Sequence, residues 1–70
     1  MRVKIKLYPN ERVKDVVIED KATVKVLRIL RMLGLNQYHV IVVVNGRVVM
    51  EDYDVKDGDI VEIYEVISTG

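Results

Sequence analysis

Apolar and polar residues alternate strictly over the first part of the chain. Val3, Ile5 and Leu7 occupy every second position, and the positions around them, from Arg2 to Tyr8, hold charged residues or tyrosine. A period of two is typical of a β-strand with one buried face. The pattern therefore predicts a first strand with its valine, isoleucine and leucine facing the core.

A turn and a second strand follow directly. Pro9-Asn10-Glu11 has turn chemistry, because proline fixes φ and asparagine tolerates left-handed geometry. The next segment, Arg12 to Glu19, is rich in the β-branched residues that favour strands. Two strands joined by so short a turn predict an antiparallel hairpin.

The hydrophobic period then changes to that of a helix. Residues spaced by three and four positions lie on one helical face, and this spacing joins Val26, Ile29, Leu30 and Leu33. Thr23 is a candidate N-cap and Gly34 suits the position just past the C-terminus, which together predict a helix of about three turns.

Basic residues occupy the other side of this helix. Lys25, Arg28 and Arg31 form a stripe there, and Val24 and Met32 lie among them, so both apolar residues are expected to be exposed. A stripe of this kind is usually a solvated face. Three charges on one helix do not by themselves define a binding site.

The second half of the chain begins with a hairpin. Val40 to Val44 is a continuous β-branched run, typical of a strand. Asn45-Gly46 is a strong hairpin signal, because a type I′ turn requires positive φ at two successive residues. Arg47 to Met50 is then the returning strand, and Glu51 to Lys56 is a polar connection expected to contain a single helical turn.

The remaining residues complete the sheet. Asp57-Gly58-Asp59 predicts a sharp turn before a final strand from Ile60 to Ile67. The element order is therefore β-β-α-β-β-β, which predicts an α+β fold with one helix packed on one face of a mixed sheet. We expect one domain over residues 1–67 and a flexible tail over residues 68–70.

Composition narrows the classes of function. The 11 basic and 11 acidic side chains of the 70 residues cancel, whereas a nucleic-acid binder normally carries a basic excess. The chain has no cysteine and therefore no thiolate nucleophile or thiolate metal site. His39 is the single histidine, and we expect no metal or catalytic role for it. No apolar run is long enough to span a bilayer, so we expect a soluble, cytoplasmic protein.

Four motifs, in this order and spacing, resemble those of a known family. They are the helix Val26-x-x-Ile29-Leu30-x-x-Leu33-Gly34, the hairpin Val44-Asn45-Gly46, the turn Asp57-Gly58-Asp59 and the ending Glu65-Val66-Ile67-Ser68-Thr69-Gly70. The chain thus resembles the small sulfur-carrier proteins of the ThiS/MoaD type, ThiS more than MoaD. Their fold is the ubiquitin-like β-grasp.

The resemblance implies a carrier protein and not an enzyme. In this family a partner of the ubiquitin-activating type adenylates the carboxylate of a C-terminal glycine with ATP. Sulfur then replaces AMP to give a thiocarboxylate, which a biosynthetic enzyme accepts. For ThiS-like members the acceptor is thiazole synthase of thiamin biosynthesis. The resemblance implies no bound cofactor or metal. The balanced charge and the short apolar runs predict neither nucleic acid nor membrane as a partner.

Gly70 is the residue that such a carrier would use, with Ser68 and Thr69 as the tail that reaches the partner. The chain cannot carry sulfur as a persulfide, because it lacks cysteine. A glycine suits a narrow channel, because it has no Cβ. The family ends in Gly-Gly, whereas Thr69 is penultimate here. Either the partner accommodates this β-branched residue or the carrier activity has been lost.

One face of the predicted sheet has no helix to cover it. The run from Val40 to Val44 presents apolar groups on both faces, and Tyr64 and Val66 point away from Val61 and Ile63. We expect this open face, with Tyr64 and Val66, to dock a partner. Burial on both faces, and dimerisation or aggregation through the patch, are the alternatives.

Three other functions fit the same sequence. The first is a MoaD-like carrier for the molybdenum or tungsten cofactor. The second is a ubiquitin-like modifier, whose C-terminus is joined to lysines of other proteins. The third is a β-grasp interaction domain that is never conjugated, which the residue Thr69 favours.

Overall fold

A computed structural model describes residues 1–18 and 22–66 of the chain. The main sheet contains the strands β1 (Arg2–Tyr8), β2 (Arg12–Val17), β4 (Val40–Val44), β5 (Arg47–Val49) and β7 (Ile60–Glu65). A second, two-stranded sheet pairs β3 (Thr23–Lys25) with β6 (Asp54–Lys56). The helical elements are α1 (Val26–Met32) and a 3-10 helix (Gln37–His39).

The main sheet is mixed, with the strand order β2-β1-β7-β4-β5. β1 and β7 are parallel neighbours, and the other neighbouring pairs are antiparallel. The buried residues of the helix form one cluster with the inward-facing residues of the strands. The helix therefore packs on one face of this sheet. This is the β-grasp architecture that the resemblance implies, with two short strands added to the predicted order.

The core is wholly aliphatic and follows the predicted periods. Alternate residues of the strands and one face of α1 are buried together, as the periods of two and 3.6 residues require. The buried residues are Val3, Ile5, Ile18, Val24, Val26, Ile29, Leu30, Val42, Val44, Val55, Val61 and Ile63. Leu7 and Leu33 are half-buried and pack against this cluster.

The predicted hairpin between β4 and β5 is confirmed. Asn45 has φ +50° and Gly46 has φ +84°, the two successive positive angles that a type I′ turn requires. The predicted turn before β7 is also present, and its Gly58 has φ +83°.

A set of side-chain hydrogen bonds joins these two turns. Asn45 Oδ1 accepts from the backbone nitrogen of Ile60 (2.9 Å), and Asn45 Nδ2 donates to Asp59 Oδ1 (2.9 Å). Asp59 Oδ2 accepts from the backbone nitrogen of Lys56 (2.8 Å). Asn45 therefore holds the start of β7 against the hairpin, in addition to forming its own turn.

The helix begins later than the sequence predicted. It contains seven residues instead of about three turns, its N-cap is Lys25, and no side chain caps it. The predicted N-cap, Thr23, lies in β3. The backbone N–H groups of Val26 and Leu27 instead donate to carbonyl oxygens in the loop between β5 and β6. Val26 donates to Tyr53 (3.0 Å) and Leu27 donates to Glu51 (2.9 Å). The predicted end is correct, since Gly34 follows the C-cap residue with φ +72°.

The pairing of β3 with β6 also changes the position of Val24. The prediction that Val24 is exposed was wrong: it is 4% exposed and pairs across the strands with Val55, which is fully buried. Met32, by contrast, is exposed as predicted. Lys25 belongs to β3 and not to a helical stripe, and its ammonium contacts Asp54 at 3.0 Å.

The connection over residues 51–56 was predicted as a polar loop with a helical turn. The structure has a turn at residues 51–52 and then the strand β6, which extends from Asp54 to Lys56. Strand ends differ slightly from the predictions as well, since Met50 lies just beyond β5. The predicted ends of the second and last strands, Glu19 and Ile67, lie outside the described residues.

Candidate functional site

The face of the main sheet opposite α1 carries a cluster of apolar and aromatic side chains. Strand register places Tyr8 beside Tyr64, Tyr64 beside Ile41, and Val43 beside Val48. Val43 is half-buried and Val48 is 70% exposed. We call these five residues the open-face patch. An exposed apolar cluster of this kind is typical of a surface that binds another protein.

Two tyrosines form the rigid part of the patch. The parallel register of β1 and β7 aligns Tyr8 with Tyr64, and their rings stack with centroids 4.7 Å apart and planes 9° from parallel. Both phenols donate to the same oxygen, Glu62 Oε2, at 3.4 Å from Tyr8 and 3.2 Å from Tyr64. Stacking and a shared acceptor fix the two rings as one flat surface.

The surroundings of the two phenols shift their titration. Partial burial raises the pKa of Tyr8 and of Tyr64 above the ordinary value of 10.0, and the negative charge and hydrogen bond of Glu62 raise each pKa further. A carboxylate disfavours ionisation of a neighbouring phenol, because the phenolate is also negative. Both tyrosines are therefore neutral hydrogen-bond donors at physiological pH.

Charged and apolar residues share the rest of the open face. Lys4 and Lys6 of β1 lie on the same side of the sheet as Tyr8, and register places Lys4 opposite Asp15 and Lys6 opposite Glu62. β2 adds Val13 and Val17 to this face, 59% and 57% exposed, so charged and apolar side chains are mixed across β1 and β2. The charges of Lys4 and Lys6 beside the patch give a docking partner a defined orientation.

The last strand ends beside the tyrosines. The backbone nitrogen of Val66 donates to the carbonyl of His39 at 2.8 Å, and the Val66 side chain is 55% exposed. The predicted exposure of Tyr64 and Val66 is therefore confirmed, while docking through them stays a prediction. Of the predicted site, Ser68, Thr69 and Gly70 lie outside the described residues.

Sequence reasoning missed Tyr8 and Glu62 as parts of this surface. The alternating pattern places Tyr8 on the polar face of β1 with Lys4 and Lys6, but it does not show which residue of another strand lies beside Tyr8. The missing information was the parallel pairing of β1 with β7, which a β-grasp fold supplies. Once that pairing is known, the register places both residues in contact with Tyr64.

Metal binding and membrane insertion are two further possibilities for the described residues. Within residues 1–18 and 22–66, no group of three or more histidine, cysteine or acidic side chains could hold a metal ion. His39 is exposed. None of the described helices is both long and apolar enough to cross a membrane.

A five-stranded mixed sheet in this order, with one helix packed on one face, places the chain in the ubiquitin-like β-grasp class. The ThiS family model matches residues 5–70, so this chain belongs to the ThiS family and is a ubiquitin-like sulfur carrier. Among solved structures, it is similar to the crystal structure of the thiamine biosynthesis protein ThiS from Geobacter metallireducens. The two share 25% sequence identity with a TM-score of 0.65, over 96% of this chain and 99% of that one.

Carriers of the ThiS type are small proteins that work with an activating enzyme and a sulfur-accepting enzyme, and in general they are not enzymes themselves. The family match and the similar solved structure confirm the predicted family and fold.

Proposed function

We propose that this chain carries sulfur for the synthesis of the thiamin thiazole, with the carboxylate of Gly70 as the attachment point. The observation that carries the proposal is the family match, which extends through Gly70. The similar structure is described as a thiamine biosynthesis protein, which favours the thiamin pathway over the molybdenum cofactor pathway.

The proposed chemistry has two steps at Gly70. A carboxylate oxygen attacks the α-phosphorus of ATP, pyrophosphate leaves, and the product is an acyl-adenylate. A sulfide equivalent then attacks the carbonyl carbon and AMP leaves, which gives the thiocarboxylate. Adenylation is needed because a carboxylate is a poor electrophile, whereas AMP is a good leaving group. The activating enzyme and the sulfur donor supply the catalytic groups, and this chain supplies the carboxylate.

The open-face patch would dock the partners, with Tyr64 and Val66 next to the origin of the tail. Gly70 follows Tyr64 by six positions, so an extended chain places it at most about 20 Å away. Ser68 and Thr69 are the residues that would enter the channel of the activating enzyme. A rigid patch beside a short tail suits this role, since docking brings the tail to the site of adenylation.

The experiment that tests the proposal is the intact mass of the protein isolated from its native cells. We expect a fraction of the chains to carry one sulfur in place of one oxygen. A copy without Gly70 is the control and should lack this species. A chain of unmodified mass that also forms no adenylate with ATP and the host's activating enzyme would contradict the proposal and favour an interaction domain.

Thr69 allows a second, matched test. If the activating enzyme accommodates the β-branched residue, both the natural chain and a Thr69→Gly variant should form the adenylate. Adenylation of Thr69→Gly alone would show that the natural tail is excluded from the channel. Isopeptide-linked conjugates in native extracts would instead favour the protein-modifier function.

A further inference from the structure

Asn45 is the one asparagine of the sequence that a glycine follows. The other two, Asn10 and Asn36, precede residues with long side chains. Asparagine is chemically labile, because the backbone nitrogen of the next residue can attack its side-chain carbonyl carbon. A glycine leaves that nitrogen unhindered, since it has no Cβ. The pair Asn45-Gly46 is therefore the most reactive asparagine site in the sequence.

The reaction at such a site is deamidation, which exchanges one bond of the Asn45 side chain for another. The backbone nitrogen of Gly46 attacks Asn45 Cγ and loses its proton, the bond between Cγ and Nδ2 breaks, and ammonia leaves. The product is a five-membered succinimide ring. Water then opens the ring at either carbonyl and leaves aspartate or isoaspartate. Water is the only co-reactant.

The turn that contains Asn45 opposes the closure of this ring. A nearly planar five-membered ring requires Asn45 Cβ and the Gly46 nitrogen to lie on the same side of the Cα–C bond. In a type I′ turn, ψ of the first central residue is about +30°, which places these two atoms nearly anti to each other. The φ angles of +50° at Asn45 and +84° at Gly46 are those of this turn. The ring can therefore form only when the turn opens.

Three hydrogen bonds hold Asn45 in this conformation. Its Oδ1 accepts from the backbone nitrogen of Ile60 at 2.9 Å, and its Nδ2 donates to Asp59 Oδ1 at 2.9 Å. The backbone nitrogen of Asn45 donates to the carbonyl of Ile60, also at 2.9 Å. We call these three bonds the Asn45 clamp. Movement of the side chain toward Gly46 breaks the two bonds at the amide, so each of them lowers the population of the reactive conformation.

Deamidation replaces an attraction in the clamp by a repulsion. A carboxylate at position 45 brings a negative oxygen next to Asp59 Oδ1, where the amide nitrogen of Asn45 now donates. Two carboxylates at this distance disfavour each other. The isoaspartate product adds a methylene group to the backbone, which disrupts the geometry of a two-residue hairpin turn. Either product therefore weakens the contact between the hairpin and the start of β7.

We propose that Asn45 is a deamidation site whose rate the clamp controls, and that its modification separates the hairpin from the turn before β7. The site lies at the end of β7 remote from the tail, since Val44 pairs with Val61 whereas Val40 pairs with Glu65. Deamidation does not depend on sulfur transfer. It converts the intact domain into a less stable one and so limits the lifetime of the folded protein.

Peptide mapping of the incubated protein tests the proposal. Mass spectrometry of the digested chain follows the conversion of Asn45 over time, with Asn10 and Asn36 as internal references. We expect conversion of Asn45 in the folded chain to be more than about tenfold slower than in urea, because the folded chain must first open the turn. Asp59→Ala should speed the conversion in the folded chain about tenfold, because a hydrogen bond to a charged group is lost.

Asp57→Ala is the matched control for Asp59→Ala. Asp57 lies in the same turn and its Oδ1 accepts from the backbone nitrogen of Arg2 at 2.6 Å, so its hydrogen bond does not involve Asn45. This variant should convert Asn45 at the natural rate. Circular dichroism of both variants confirms that the fold is retained.

The consequence of the modification is measured on the same samples. Ion exchange separates the deamidated fraction, which carries one more negative charge, and this fraction should unfold at a lower urea concentration than the intact fraction. Equal unfolding midpoints would overturn the proposed separation of the hairpin. Equal conversion of the folded and the urea-unfolded chain would overturn the protection by the fold. An Asp59→Ala rate equal to that of the natural chain, or to that of Asp57→Ala, would overturn control by the clamp.

Discussion

Glu62 is the residue that organises the open face. Its carboxylate accepts hydrogen bonds from both tyrosines, and register places it between Lys6 of β1 and Val43 of β4. A carboxylate beside apolar groups is costly unless it accepts hydrogen bonds. Both phenols donate to its Oε2, and in return Glu62 fixes the orientation of both rings.

A Glu62→Gln substitution should show this coupling in the titration of the phenols. The pKa of Tyr8 and of Tyr64 should fall toward 10.0, because the negative charge is lost, and should stay above it, because partial burial is the larger cause. Ultraviolet absorbance of phenolate against pH measures the change. Glu65→Gln, at the exposed end of β7, is the control. Identical titration curves for the natural chain and Glu62→Gln would contradict the coupling.

The same shifts make stability depend on alkaline pH. Because both folded-state pKa values lie above that of an unfolded tyrosine, their contribution is complete below about pH 10 and is lost as pH rises through the folded-state values. Urea unfolding should therefore show that the free energy of unfolding declines as the pH rises above about 10. This decline should be shallower in Glu62→Gln than in the natural chain. If the free energy of unfolding declined equally steeply in both chains, groups other than these two tyrosines would cause the decline.

At the scale of elements, side chains connect turns that are distant in sequence. Asn45 combines a left-handed backbone conformation with hydrogen bonds to Ile60 and Asp59. The hairpin and the turn before β7 are thus fixed relative to each other. The sequence predicts each turn separately, because each has its own local signal, but it contains no local signal for the bond between them.

Two substitutions at Asn45 should separate backbone from side-chain effects. Asn45→Gly keeps positive φ accessible and loses the side-chain bonds, so the free energy of unfolding should fall by about 1–3 kcal/mol. Asn45→Ala loses the same bonds and adds the strain of positive φ, about 1 kcal/mol more. Chemical denaturation of both variants measures the difference. Equal losses would show that backbone strain contributes nothing at this position.

The small sheet of β3 and β6 gives the second test at this scale. Val24→Ala removes buried methyl groups from the core and should lower the free energy of unfolding by about 2 kcal/mol. Met32→Ala, on the exposed side of α1, should change it by less than about 0.5 kcal/mol. Thermal unfolding of the two variants under the same conditions compares them. A larger loss of unfolding free energy for Met32→Ala than for Val24→Ala would contradict the burial of Val24.

At the scale of the whole molecule, the sequence predicted the main sheet, the helix and the open face. These features have periods or turn residues that are visible in short windows, such as Val3 with Ile5 or Asn45 with Gly46. It did not predict β3 and β6, because three residues are too few to show a period and their pairing joins distant segments. The same limit explains why Tyr8 was not assigned to the patch.

Docking and sulfur chemistry occupy different parts of the molecule, so substitutions should separate them. Tyr64→Lys places a charge in the open-face patch and should abolish binding to the activating enzyme while the fold is retained. Deletion of Gly70 should leave binding intact, because the patch is unchanged, and abolish adenylation. Titration calorimetry measures binding, and pyrophosphate release measures adenylation.

Val13→Lys is the matched control for Tyr64→Lys. Val13 lies on the same face of the sheet but on the edge strand β2, opposite Lys6, and is 59% exposed. Because it lies outside the patch, its substitution should change neither binding nor pyrophosphate release. If Val13→Lys weakened binding as much as Tyr64→Lys, the partner would contact the whole face, and the open-face patch alone would not determine docking.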